Sequence, residues 1–483
     1  MAVVPLPGNR VFSAIDTLAF WTLLAPYARQ TRSGQSFSEW GRIPAPEFTI
    51  VDAVAAAAAV QERHEDLSSP DNDDLQPPNQ SLPKATATLA TPATATLATT
   101  ASHNKQGSRR ERHQKRAAAN AVRDALADPR SPPRRHQVLP GLKKPIITKF
   151  HIMKARIAAT GWVGVQGKKE PDLHRLEDFF GRGAKRKDFT LVKAPPPGES
   201  RPVVDSEGKI FAVHGSTPKD PTFISKVHDP AVAALEKARD QMSIPAGSEQ
   251  HRRGKFVTLT GGQSHGNGRE GPMDVTNGVI NAAVFLALIT NAAFISLAGF
   301  ATSLFATWAP NVFDFYVDYM SCFYAHYPNM QRPFLNSIWS ACTFNLGPHT
   351  WSLGHRDFNN VPFGWCAITA LGHFDFTKGG HLILWDCKLI LEFPPGSTIL
   401  VPSAAIYHSN ISVESPETRY SFTQYTAGGL FRYVERGFKS ETAYFASLTP
   451  AEVEEERELG LKRAMEGAGM FSTIAELKAA IRN

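Results

Sequence analysis

The chain has 483 residues, 42% of them hydrophobic, with a formal net charge of +7 and a pI near 9.1. Length allows two or three domains, but the 35 Pro and 35 Gly are unevenly spread, which excludes a chain folded evenly from end to end. The positive balance favours an acidic partner, nucleic acid being the usual one; solubilising tails are the plainer account.

The four cysteines, Cys322, Cys342, Cys366 and Cys387, form no CxxC pair, which excludes a zinc signature or a disulfide framework. Their spacing suits reduced thiols of the cytosol or nucleus. Asp16 interrupts the apolar part of the N-terminus, against a signal peptide; Arg10, Arg29 and Arg32 keep a mitochondrial leader open as the minor reading.

Residues 1–60 form an N-terminal segment with short helical stretches. Residues 61–145 read as a disordered, basic, low-complexity linker. The run ATATLAT at 85–91 recurs at 93–99, and a basic run follows from Arg109 to Arg116. Low hydrophobicity with like charges does not offset the entropy of ordering. The basic run serves as a nuclear import signal, a phosphate contact, or a solvated linker.

Residues 146–270 form a folded region that is hard to type. A short strand is expected at 161–166 and an amphipathic helix at 230–242. Arg182, Lys185, Arg186 and Lys187 make a second basic cluster, which suits a polyanion or an ordinary charged loop. The Gly-rich stretch from Thr260 lacks the order of a phosphate loop.

No charge occurs from Val275 to Phe313, a length sufficient for a membrane span. Recurring Asn, Ser and Thr and the break at Gly299 argue instead for two buried helices, 278–290 and 292–308, backing a sheet. A third helix follows at 311–327, opened by Pro310. A membrane location is disfavoured. After 440 the chain turns helical, with Thr449 capping one helix and another starting after Ser472.

The chemistry lies between Gly354 and Gly429. In an extended strand, side chains two apart share a face, so His355 and Asp357 can bind one metal. Two other H-x-D sequences exist. His64/Asp66 sits in the linker, and His373/Asp375 stands much nearer His408 in sequence and is assigned to structure. A facial triad of two His and one carboxylate leaves open positions on iron, and His408, after the apolar run 398–406, supplies the second imidazole. Arg419, on a strand at 418–424, can grip a carboxylate in a bidentate manner, and Ser421 shares its face. A trio of core histidines and acids is the plainer alternative.

In this order of motifs the segment resembles the Fe(II)- and 2-oxoglutarate-dependent dioxygenase superfamily. Gly354-His355-Arg356-Asp357-Phe358-Asn359-Asn360 is similar to the H-R-D-x-x-N segment of the TET/JBP branch, and 344–431 most resembles its fungal members. The resemblance covers 275–440. It implies an α+β fold, a double-stranded β-helix (jelly-roll) core with N-terminal supporting helices, preceded by the disordered basic linker. It divides the remainder into a dioxygenase domain at 271–440 and C-terminal helices at 441–483.

It further implies Fe(II) held by His355, Asp357 and His408, and 2-oxoglutarate held by Arg419 with Ser421. Asn360 contacts the substrate base. The reaction is oxidation of a methylated base such as 5-methylcytosine in DNA, in the nucleus or alternatively the cytoplasm, with no stable protein partner. A prolyl-type protein hydroxylase and a catalytically silent, transposon-associated DNA-binding protein are the alternatives. Four scattered cysteines cannot build the zinc-binding region of animal TET enzymes.

Overall fold

The structure, a computed structural model, describes four three-residue strands before Glu39 (Val3–Pro5, Val11–Ser13, Ala28–Gln30 and Ser36–Ser38). It then describes residues 135–482 apart from 168–172, 185 and 267. The basic run 109–116 and the duplicated heptapeptide lie outside the described residues.

The linker reading ends too late. Helix α1 (Arg135–Lys143) occupies its last part, and Val138 and Leu142 are buried in the main core. They stand four apart on one helix face, a short pattern masked in sequence by the adjacent arginines and by Pro140. The strand expected at 161–166 is also absent: that segment makes one isolated bridge, Ile157 to Gly164.

Two sheets carry the domain. The larger has nine strands. In chain order these are β1 (Ile146–Ile147), β3 (Ser200–Val204), β4 (Ile210–Gly215), β7 (Thr258–Ser264) and β8 (Met273–Asp274). They continue as β9 (Ala341–Asn345), β10 (Cys366–His373), β13 (Thr398–Val401) and β15 (Thr418–Tyr425). Their spatial order is β8-β7-β9-β15-β10-β13-β4-β3-β1, antiparallel except for β1 with β3. The smaller sheet is β14 (His408–Asn410), β11 (Leu382–Leu384), β12 (Leu389–Leu391) and β2 (Thr190–Val192). Leu382, Leu384, Leu389 and Leu391 join Ala367, Ala370 and Val401 in one cluster, so both sheets share a core. This is a mixed α+β architecture.

The uncharged stretch forms α3 (Val279–Ile289) and α4 (Ala292–Trp308), followed by α5 (Pro310–His326). Asn291 caps α4, its Oδ1 accepting from the Ala293 N–H. α4 backs the large sheet. Phe294 sets its edge on Phe344 and Phe422, with ring centroids 4.9 and 5.3 Å apart. α3 departs from expectation because only Val284 and Leu288 are buried, while Val279 is 90% exposed. The pair bends by 65° between the helices, so α3 touches the sheet along one stripe. No single described helix is long and apolar enough to cross a membrane.

Upstream, α2 (Asp229–Gln241) forms where amphipathicity indicated, with Pro230 in its first turn. Downstream come α6 (Gly428–Glu435), α7 (Glu441–Ala446), α8 (Pro450–Gly469) and α9 (Ile474–Arg482). Thr449 and Glu452 make a reciprocal capping box on α8.

Candidate metal centre

The structure brings His355, Asp357 and His408 together, their ligand atoms all within 4.8 Å of one another. His355 and His408 face each other across a single antiparallel bridge, each backbone N–H donating to the other's carbonyl at 3.0 Å. His355 is therefore not in a continuous strand; Asp357 follows in a loop and donates its N–H to the Ser403 carbonyl.

Each imidazole is oriented by its own chain. Nδ1 of His355 lies 2.8 Å from the Leu353 carbonyl, and Nδ1 of His408 lies 2.9 Å from the Ile406 carbonyl. A carbonyl only accepts, so Nδ1 carries the proton and Nε2 keeps its lone pair. Those Nε2 atoms stand 3.7 and 3.9 Å from the two Asp357 oxygens. Burial, then the neighbouring His408, lowers the His355 pKa to about 3, and burial also lowers that of His408. Burial works against the Asp357 carboxylate, yet the two imidazoles and Arg253 and Arg252 outweigh it and hold its pKa at about 2. Two neutral imidazoles and one carboxylate are the donor set of a metal site with open positions.

Arg356, between the ligands, points away from them. It grips Asp386 at 2.9 and 3.1 Å and donates through Nε to the Ala405 carbonyl. Asp386 also accepts from the Tyr407 N–H at 2.6 Å. The arginine thus braces the loop that delivers His408.

Arg419 and Ser421 project from β15 on one face, opposite Gly372 and Ala370 of β10. Arg419 is 1% exposed. Nη1 donates to the Thr350 carbonyl at 2.5 Å, while Nε and Nη2 have no partner among the described residues. Phe374 and Phe393 lie against the guanidinium, 5.9 and 5.8 Å from their ring centroids, and burial pulls its pKa down to about 10. A buried cation with two unpaired N–H groups costs several kcal/mol, a cost that an anion on those groups would relieve. Thr350 leads directly into the segment ending at His355, which links the guanidinium to the metal ligands.

Gly380 makes room for this arrangement. Its φ is +73°, and a Cβ there would stand 2.5 Å from Phe374 and 3.2 Å from Arg419 Nε. Ser421 accepts from the Asn345 amide at 2.8 Å. On the same inner face, the Thr343 hydroxyl meets those of Thr260 and Tyr425 at 2.8 and 3.2 Å.

Asn360 turns inward. Its Nδ2 donates to Cys366 Sγ and Ser403 Oγ at 3.2 and 3.5 Å, and its side chain is buried. Burial, with Asp357 nearby, pushes the Cys366 thiol up to about 12. The second histidine-acid pair stays structural in form. Asp375 accepts from the N–H and hydroxyl of Thr377, and His373 is exposed. Of the second basic cluster, Arg186 is placed away from the triad. Arg186 lies over Trp385, whose Nε1 donates to Ser409, on the face of β14 opposite His408.

Two residues escaped the sequence reading. His381 is fully buried. Burial, opposed by Glu392 and by a bond to the Gly379 backbone and aided by Lys193 and Arg419, brings its pKa to about 4. Its only signal was its place after Gly379-Gly380. Arg252 reaches the site from far upstream, 3.5 Å from Asp357 Oδ1, and nothing in the local sequence marked it.

No protein-family model matches the chain, and no curated protein matches it in sequence. Among solved structures it is similar to NgTET1 in complex with 5mC DNA, with a TM-score of 0.33 and 15% identity. That similarity covers 50% of this chain and 83% of the other.

Proposed function

We propose that the chain is an Fe(II)- and 2-oxoglutarate-dependent dioxygenase, built on a double-stranded β-helix, that oxidises a methylated nucleic-acid base such as 5-methylcytosine. One observation carries this reading: a His-Asp-His donor set occurs with a buried guanidinium that is bonded to the Thr350 carbonyl, five residues before His355, and has two N–H groups without a partner among the described residues. The substrate class comes from the resemblance around His355–Asn360 and from the positive charge.

His355, Asp357 and His408 would hold the iron, and Arg419 the distal carboxylate of 2-oxoglutarate, with Ser421 and His381 beside it. When bound, iron with 2-oxoglutarate and dioxygen supplies oxidation of a substrate C–H coupled to decarboxylation of the cosubstrate to succinate. The protein's part is placement. The Leu353 and Ile406 carbonyls fix the imidazole tautomers. Arg356 with Asp386 holds the His408 loop in place. Phe374 and Phe393 keep water from the guanidinium and so strengthen its grip on a carboxylate. A base in a duplex would have to flip out to reach this site; the Asn360 amide, expected from the resemblance to contact it, is instead turned inward onto Cys366 and Ser403. DNA is the partner and the nucleus the compartment.

The test is succinate release by the iron-loaded protein with 2-oxoglutarate, with and without 5-methylcytosine DNA, base products being read by mass spectrometry. Succinate together with oxidised methylcytosine is expected, and loss of both in Asp357→Ala. Succinate without base products would move the substrate to protein, as in a prolyl-type hydroxylase, or to RNA. No iron-dependent succinate would leave a silent DNA-binding protein.

A further inference from the structure

A separate hairpin stands at the rim of the metal centre. Strands β5 (Gln250–His251) and β6 (Gly254–Lys255) pair antiparallel, leaving Arg252 and Arg253 as a two-residue tip. The tip is fixed rather than floppy. The Arg253 carbonyl accepts from the Leu353 N–H at 2.7 Å, two residues before His355. Gly254 permits this approach: its φ is +147°, and a Cβ would stand 2.9 Å from the Trp351 carbonyl.

His251 staples the tip from within. Its Nδ1 accepts from the Arg253 N–H at 3.2 Å, and its Nε2 donates to the Phe256 carbonyl at 3.1 Å. Its ring stands edge-on to Phe256 at 4.5 Å. Arg252 is spent on the rim: Nη1 donates to the Arg356 carbonyl at 3.0 Å, and its guanidinium lies over Phe358. Arg253 and Lys255 make no such bond or ion pair among the described residues, and Lys255 is exposed.

We infer that this hairpin is a preorganised grip for the phosphodiester backbone flanking the reacting base, with Arg253 and Lys255 as its phosphate ligands. The inference rests on the nucleic-acid reading of the site. A nucleotide drawn into the cavity leaves its neighbouring phosphates at the rim, where the tip stands. A two-stranded ribbon also fits the major groove. Because His251 and Leu353 already hold the tip, little ordering entropy opposes binding.

The test is binding of the full-length, iron-free protein to a fluorescein-labelled 5-methylcytosine duplex across a salt series, without 2-oxoglutarate. Its outcome is thus independent of turnover. The Arg253→Ala/Lys255→Ala double should weaken binding roughly 10- to 100-fold at 0.1 M salt and reduce the slope of log K against log salt by about 2. Lys226→Ala/Lys237→Ala, equal in charge and exposed on another part of the chain, should bind like the parent. Equal weakening in both doubles, or parental binding by the hairpin double, overturns the proposal. So does equally tight, hairpin-dependent binding of labelled poly-glutamate, which would assign the tip to an acidic protein.

Discussion

Arg419 carries a testable cost of burial. Its Nε and Nη2 are buried without partners among the described residues, so its charge is incompletely compensated. Arg419→Met removes that charge and keeps much of the volume. The expected result is a midpoint of unfolding unchanged or raised, with the stabilisation by 2-oxoglutarate abolished. Half-saturation by 2-oxoglutarate should rise at least 10- to 100-fold, since each charged hydrogen bond contributes about 1.5–3 kcal/mol. Thermal shift against cosubstrate concentration reads both effects, and unchanged dependence would place the carboxylate elsewhere.

His214 carries a pH dependence with a definite sign. It is fully buried, Nε2 lying 2.7 Å from the Glu392 carbonyl, and burial lowers its pKa from 6.5 to about 4. The unfolded chain therefore takes up the proton first. Its contribution to stability is complete above pH 6.5 and is lost as pH falls towards 4. Between pH 7 and 5 the loss from this group is about 2 kcal/mol. Urea unfolding of the parent and of His214→Leu at both pH values should differ in pH sensitivity by that amount. Identical sensitivity would show that the ring is already charged or solvated.

At the scale of elements, the Gly379-Gly380 turn before β11 leaves room for Phe374 and the Arg419 guanidinium. Gly380→Ala adds a Cβ into Phe374 and towards Arg419 at a φ that L side chains rarely adopt. A destabilisation of about 1–3 kcal/mol is expected, with weaker 2-oxoglutarate binding measured on the remaining folded protein. Parental affinity would separate the turn from the cavity. The helices were largely readable in sequence because their signals are local. Thr449 with Glu452 caps α8, Asn291 caps α4 and Pro310 opens α5. The burial of α3 was misread because a lack of charge marks an apolar helix, not what covers it. Val279 and Ile280 stay exposed beside the 65° bend, while Phe285 of the same helix lies against Gly261, a contact between distant segments.

For the whole molecule, the described core begins at Val138, and α1 packs against β3. Gly141 approaches so closely that a Cβ would stand 2.0 Å from the Ser200 carbonyl. A chain beginning at Arg135 should keep the parental unfolding midpoint. One beginning at Lys144 should lose about 3–6 kcal/mol through Val138 and Leu142. Equal stability of the two by urea denaturation would remove α1 from the core.

The sequence by itself determined the residue types of the candidate metal centre, their order and the helices before and after it. Those follow from spacing along one chain: His355 and Asp357 two apart, Arg419 and Ser421 two apart, caps beside their helices. Only the tertiary structure decided that His355 and His408 meet at a single bridge, that Asn360 turns inward, that His381 is buried and that Arg252 reaches Asp357. Those facts depend on pairings between strands and loops far apart in the chain. Burial, and with it the neutral imidazoles and the unsatisfied guanidinium, arises only when those pairings exclude water.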